Sequence, residues 1–226
     1  MPDVNALIPA LRTAASSDSV SAVVLDYGNV LYAWEPIAAV AGYVSADAWE
    51  EFVVDGGFLS WNERLDRGEP FDQVLTDYAR AHPDRPDWAE LLADYWRHFP
   101  DTLTGPIPGV GAVVDDLLDA GVRLYALTNF NHELFAAFGR PRVPQLERFS
   151  GIVVSGEERL TKPDPAVFRV LLERYGLQGA DALFVDDAPA NIAAAASLGM
   201  DTHLFRGAGR LRADLTDRGL LDALVD

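Results

Sequence analysis

Four short apolar runs, each closing on an oxygen-bearing side chain, constrain this chain more than any other feature. Residues 20–25 (VSAVVL) lead into Asp26, and 122–127 (VRLYAL) into Thr128 and Asn129. Residues 151–154 (GIVV) lead into Ser155, and 182–185 (ALFV) into Asp186 and Asp187. Apolar runs this short and rich in Val and Leu read as buried strands rather than helices. Between them lie helical stretches at 110–119, from about 131, at 165–175 and at 189–198, then a last strand at 202–205 and a helix at 211–216. Strands alternating with helices of ~10–12 residues predict an α/β fold, a parallel sheet covered on both faces.

One stretch breaks the alternation. From Trp34 to Phe99 the apolar residues recur at helical spacing, with turn breaks at Gly56-Gly57, 68–70 and 83–86, and all five tryptophans lie within it. The expected organisation is an N-terminal extension (1–18), an α/β core (19–33 and 105–226) and an inserted all-helical module of four or five helices (34–104).

Composition narrows the chemistry. Acidic residues number 35 against 18 Lys plus Arg, a net charge of −17, and no basic stretch offsets it. Such a surface repels phosphate backbones, so no nucleic-acid partner is expected. Cysteine is absent, which excludes disulfides, thiolate nucleophiles and cysteine metal sites. No apolar run approaches the ~18–20 residues that span a bilayer, and the first residues do not read as a signal peptide. The expectation is a cytoplasmic protein without a membrane partner, either monomer or homodimer.

In an open parallel sheet, ligands bind at the carboxyl ends of the strands. Asp26, Thr128, Asn129, Ser155, Asp186 and Asp187 all stand there. Adjacent carboxylates repel unless a cation or strong donors neutralise them. With Asp26 converging on Asp186 and Asp187, the donor set is oxygen-rich and suits Mg²⁺ rather than zinc. The alternative is that one of the two, Asp186 before Asp187, merely caps the helix that follows. Lys162 is the only lysine beside seventeen arginines. That asymmetry fits a site needing a compact ammonium that a planar guanidinium cannot replace, or one surface lysine left by chance.

The segments LDYGNVL (25–31), LTN (127–129), TKPDP (161–165) and FVDDAPAN (184–191) resemble, in order and spacing, the four motifs of the haloacid dehalogenase-like (HAD) hydrolase superfamily. The nearest likeness is to subfamily IA, the phosphatase branch with a helical cap, which includes glucose-1-phosphate phosphatase and the phosphatase domain of soluble epoxide hydrolase. This resemblance implies a three-layer Rossmann-like core with the helical module as cap. It implies Mg²⁺-dependent hydrolysis of a small phosphorylated substrate through an aspartyl-phosphate. Asp26 would be the nucleophile, and Thr128, the Asn129 backbone and Lys162 would hold the phosphoryl group. Asp26, the Gly28 carbonyl, Asp187 and Asp186 would hold the metal, with Asp186 also bonded to Lys162 and Asn191 bracing the loop or simply lying on the helix surface.

Position 28 departs from the family pattern. Phosphatases of this kind usually carry a second Asp two residues after the nucleophile, as general acid and base, and Gly28 has no side chain. A water, the substrate or a cap residue must then move the proton; Asp55, Glu63, Arg64 and His98 are candidates. Arg64 or Arg67 could reach the distal part of an anionic substrate, and Phe130 and His132 could face the pocket. The departure also leaves two other readings, a non-catalytic phosphate- or protein-binding module and a 2-haloacid dehalogenase.

Overall fold

The computed structural model describes residues 20–222, so the proposed N-terminal extension and the last four residues lie outside the described part. Five strands form one parallel sheet in the order β5-β4-β1-β6-β7. They are β1 (Ala22–Leu25), β4 (Arg123–Thr128), β5 (Gly151–Val154), β6 (Ala182–Asp186) and β7 (Asp201–Leu204). In register, Ala22 faces Arg123 on one side and Ala182 on the other, which places β1 at the centre.

All four residues of β1 are buried, and their alternation divides the interior in two. Val23 and Leu25, with Leu124, Ala126, Leu183 and Val185, pack towards α5 (Val110–Asp119) and α11 (Ala208–Asp217). Ala22 and Val24, with Leu127, Val153 and Phe184, pack towards α9 (Pro165–Tyr175) and α10 (Pro189–Ser197). A strand buried on both faces has no polar side to alternate, which is why these runs are continuously apolar. Asp164 begins α9 by accepting from the Ala166 N–H at 2.8 Å, and Pro165 follows where its missing N–H costs nothing.

The helical insertion leaves the sheet after β1. It is entered and left through a two-stranded antiparallel ribbon, β2 (Tyr32–Trp34) with β3 (Leu103–Pro106). The sequence reading did not anticipate this ribbon. The cap contains four α-helices, α1 (Ala46–Val54), α2 (Phe58–Asp66), α3 (Phe71–Ala81) and α4 (Pro86–Arg97), preceded by a 3₁₀ turn, Pro36–Val40. The cap interior is aromatic: Phe52 and Phe58 lie 5.3 Å apart between ring centroids, and Phe58 meets Tyr95 edge-on at 4.8 Å.

After β4 the expected helix near 131 is three pieces. These are α6 (His132–Leu134), a π-helical turn (Phe135–Gly139) and α7 (Arg140–Arg142). A short helix, α8 (Ser155–Glu158), then follows β5 directly. Among the described residues no helix is long and apolar enough to cross a membrane.

Candidate active site

A cavity of about 390 Å³ lies between the carboxyl ends of the strands and helix α2. Its core side presents Asp26, Gly28, Asn29, Asn129, Phe130, Lys162, Asp187 and Asn191. On the cap side are Leu59, Asn62, Glu63 and Asp66, with Trp34, Phe99 and Leu103 completing the wall. The four α2 residues stand at i, i+3, i+4 and i+7, one face of a helix.

Asp26 emerges from β1 and is nearly covered, with 8% of its surface exposed. Its Oδ1 accepts from the Tyr27 N–H at 2.7 Å and lies 2.8 Å from Lys162 Nζ. The same ammonium donates to Asp186 Oδ2 at 2.7 Å. Lys162 therefore sits between two carboxylates, and it is 3% exposed. Its backbone is clamped by the Asn129 side chain: Lys162 N donates to Asn129 Oδ1 at 2.8 Å, and Asn129 Nδ2 donates to Lys162 O at 2.9 Å.

Asp186 is wholly buried and does not line the cavity. Besides Lys162, it accepts from the Ala188 N–H at 2.8 Å and from Asn191 Nδ2 at 3.0 Å to each oxygen. Asn191 thus braces this loop. Asp187 is half-buried and reaches the cavity. The carboxylates of Asp26, Asp186 and Asp187 each offer an oxygen within 4.8 Å of the others.

Burial pushes the Asp26 carboxyl up to about 8, with Asp186 and Asp187 adding to the rise and Lys162 opposing it. Burial also raises Asp187, helped by Asp186 and opposed by Asn29 and Lys162. For Lys162, burial works against the charge, but Asp26 and Asp186 outweigh it and hold the ammonium above its ordinary value. Three carboxylates share one ammonium, so the cluster is short of positive charge. Its donors are all oxygens, with no histidine among the groups that converge, which fits a hard divalent ion such as Mg²⁺.

Other residues singled out from the sequence do not line the cavity. Thr128 is buried at the end of β4 and does not line the cavity, whereas its neighbours Asn129 and Phe130 do. Ser155 is also buried, and its hydroxyl bonds the cap, donating to Asp66 O at 2.6 Å. Arg64 is paired with Glu69 and Asp77, and Arg67 with Glu63, so neither arginine faces the cavity. Asp55 is exposed, and His98 and His132 do not line the cavity. Asp66, on the cavity face of α2, escaped the sequence reading. The helical spacing of 59, 62, 63 and 66 was the one signal that could have found it.

The haloacid dehalogenase-like hydrolase model matches residues 18–199. Over 198 residues the chain is 27% identical to mouse acyl-CoA dehydrogenase family member 10, covering 84% of this chain but 18% of that protein. It is 24% identical over 186 residues to the sesquiterpene phosphatase astK of Aspergillus oryzae, covering 79% of this chain and 86% of the fungal one. A Bacteroides thetaiotaomicron HAD family enzyme, solved in complex with magnesium and inorganic phosphate, superimposes with a TM-score of 0.60 at 20% identity. That match covers 83% of this chain and 95% of the bacterial one. The parallel sheet, the inserted helical cap, the acidic cluster at the strand ends and a family match across most of the sequence agree, and the chain belongs to the haloacid dehalogenase-like hydrolases.

Proposed function

We propose that this hydrolase is a Mg²⁺-dependent phosphomonoesterase of the helical-cap branch, subfamily IA, working through an aspartyl-phosphate on Asp26. Residues 19–33 and 105–226 would be its catalytic core and 34–104 its cap. The observation that carries this reading is the Asp26 carboxylate in the cavity wall, 2.8 Å from a buried ammonium, with a second, cavity-lining carboxylate beside it. A carboxylate attacking a phosphate meets like charge, and Lys162 offsets part of that repulsion at the atom that attacks. Asn129 supports the phosphate indirectly, by fixing the Lys162 backbone.

Asp26, Asp187 and the Gly28 carbonyl would hold the ion; Asp186, saturated by Lys162, Ala188 and Asn191, is better suited to anchoring the ammonium. When bound, Mg²⁺ would neutralise phosphate oxygens as charge builds on them. Asp26 attacks phosphorus in line, the bond to the ester oxygen breaks, and water then hydrolyses the acyl phosphate. α2 faces the strand ends across the cavity, and closure of the cap there would hold bulk water away from the first step.

The cavity lining also supports a substrate class. Lys162 is its one cationic side chain among the described residues, while Glu63 and Asp66 face it from the cap. A second anionic group on the substrate would meet carboxylates there. Trp34, Leu59, Phe99, Leu103 and Phe130 offer an apolar wall instead. The substrate is thus a monophosphate whose remaining body is uncharged and substantially apolar, in keeping with the Aspergillus relative being a sesquiterpene phosphatase. A neutral sugar phosphate is the second reading, favoured by Asn62 in the same wall.

A phosphate-release screen with and without Mg²⁺ tests both. Alkyl and prenyl monophosphates should exceed sugar phosphates, and both should exceed phosphoglycolate or bisphosphates. Chelation should abolish release. Halide release from 2-chloropropionate with no phosphate release from any ester would replace the phosphatase reading by a dehalogenase one.

A further inference from the structure

Gly28 leaves the phosphatase reading without a proton carrier. A Cβ built there meets nothing within 4 Å, so the position is open space in the cavity wall. In-line attack places the leaving oxygen on the side of phosphorus opposite Asp26, and water must later enter along the same line. The carrier therefore has to reach that line, where one group can serve both steps; with no side chain at position 28, the acids that face the cavity apart from the proposed metal-binding set are on the cap.

Two carboxyls of α2 face the cavity. Glu63 is engaged: it accepts from Arg67 Nη2 at 2.6 Å and from Thr161 Oγ1 at 2.9 Å. Among the described residues Asp66 has no ion-pair partner. Tyr95 OH donates to Asn62 Oδ1 at 2.9 Å, which turns the amide so that Asn62 Nδ2 donates to Asp66 Oδ2 at 3.0 Å. One oxygen is thereby oriented by the cap's own interior. The backbone beneath is fixed to the core, because Ser155 Oγ donates to Asp66 O at 2.6 Å and Asn131 Nδ2 to Leu65 O at 3.1 Å. The same Ser155 oxygen receives the Phe130 N–H at 2.8 Å, so Asp66 is registered against the loop that carries Asn129.

We propose that Asp66 is the catalytic acid and base of this enzyme, acting from the cap in place of the side chain that Gly28 lacks. The proposal rests on the phosphatase reading above. In the first step an Asp26 oxygen bonds to phosphorus and the phosphorus–ester oxygen bond breaks. The Asp66 carboxyl gives its proton to the departing oxygen, so an alcohol leaves and Asp66 becomes a carboxylate. In the second step Asp66 takes a proton from water as that oxygen bonds to phosphorus and the bond to Asp26 breaks. Inorganic phosphate leaves, and both aspartates return to their starting states.

The carboxyl is suited to the first step, because burial and the Glu63 charge push it up to about 7, against the pull of the Asn131 N–H and Lys162. The groups facing it are Glu63 on its own helix, Tyr95 through Asn62, Lys162 from the core, and Asp26 and Asp187 across the cavity.

The test is leaving-group dependence in the Mg²⁺-loaded enzyme. In the wild type, phosphoenzyme formation from alkyl and aryl monophosphates should depend weakly on leaving-group pKa at pH 6 and steeply at pH 8.5. Asp66→Asn should lower turnover of an alkyl phosphate by ~10²-fold or more, but phosphoenzyme formation from p-nitrophenyl phosphate by less than ~5-fold. Slowed hydrolysis should let the aspartyl-phosphate accumulate in that variant. Gly28→Asp in the same background should restore at least ~10-fold of the alkyl phosphate activity. Equal losses across leaving groups, or a wild-type dependence that is the same at both pH values, would overturn the role of Asp66 while leaving the phosphatase reading intact. The wild-type comparison decides the matter if the variant does not fold. No phosphate release by the wild type from any ester would overturn both.

Discussion

Lys162 draws its role from two partners rather than one. With its ammonium 2.8 Å from Asp26 and 2.7 Å from Asp186, it is held in place by a carboxylate that does not reach the cavity. Arginine cannot bridge the same two oxygens from the same backbone position, since its fork is planar and longer. Lys162→Arg should lower turnover of p-nitrophenyl phosphate at least ~10-fold; unchanged turnover would remove Lys162 from the reaction. Asp66 makes a stability prediction of definite sign. Its folded carboxyl titrates near 7 against an ordinary 3.8, so between those values the folded state binds more protons than the unfolded one. The contribution of this group to stability is then complete below about pH 4 and is lost as pH rises through 7. Asp66→Asn removes that loss. Its melting temperature relative to wild type should therefore climb between pH 5 and 8, by ~2–6 °C, or about 1–2 kcal/mol for a partly exposed group. A constant difference across that range would show that Asp66 titrates normally. At this scale the sequence marked Lys162 by its rarity, whereas Asp66 was one of 35 acids with nothing local to distinguish it.

The decisive element is α2, and in particular how its last turn meets the core. Gly68 follows it at φ +76°, and a Cβ there would come within 2.4 Å of the Gly156 carbonyl oxygen. Backbone meets backbone at this point, so no side chain can yield. Gly68→Ala should displace the end of α2, costing about 1–3 kcal/mol and raising KM for the phosphate ester several-fold. Thermal melts and steady-state kinetics on the same preparation check both effects. Ser155→Ala acts on the same seam from the other side. It leaves the Phe130 N–H and the Asp66 carbonyl without their partner, at a cost of about 1–3 kcal/mol in a melt. The helices of the cap were readable from their apolar spacing. The β2–β3 ribbon was not, because three- and four-residue strands containing Gly105 and Pro106 carry almost no local strand signal.

For the whole molecule, a net charge of −17 makes cation effects easy to misread, since any salt will relieve surface repulsion. An ion bound as proposed would act through the acidic cluster at the strand ends. At constant ionic strength, Mg²⁺ at ~100 times its dissociation constant should raise the melting temperature by ~5–10 °C, the equivalent of about 2.7 kcal/mol. Asp26→Asn should abolish most of that increment while leaving the response to monovalent salt unchanged. An increment of the same size in both proteins would place the ion elsewhere.

Periodicity and motif order were enough to determine the sheet, the insertion after its first strand and the polar residues at the strand ends. These depend on residues within a few positions of one another, and a strand buried on both faces can be read from its own side chains. Which of those polar residues face a ligand depended on contacts between distant segments. Asn129 turned out to clamp Lys162, thirty-three residues away, and Asp186 to stand behind the ammonium rather than in the cavity. Asp66 came into position only when α2 docked on Ser155 and Asn131. That docking is a matter of packing between two surfaces, and no local pattern in either segment encodes where the other will lie.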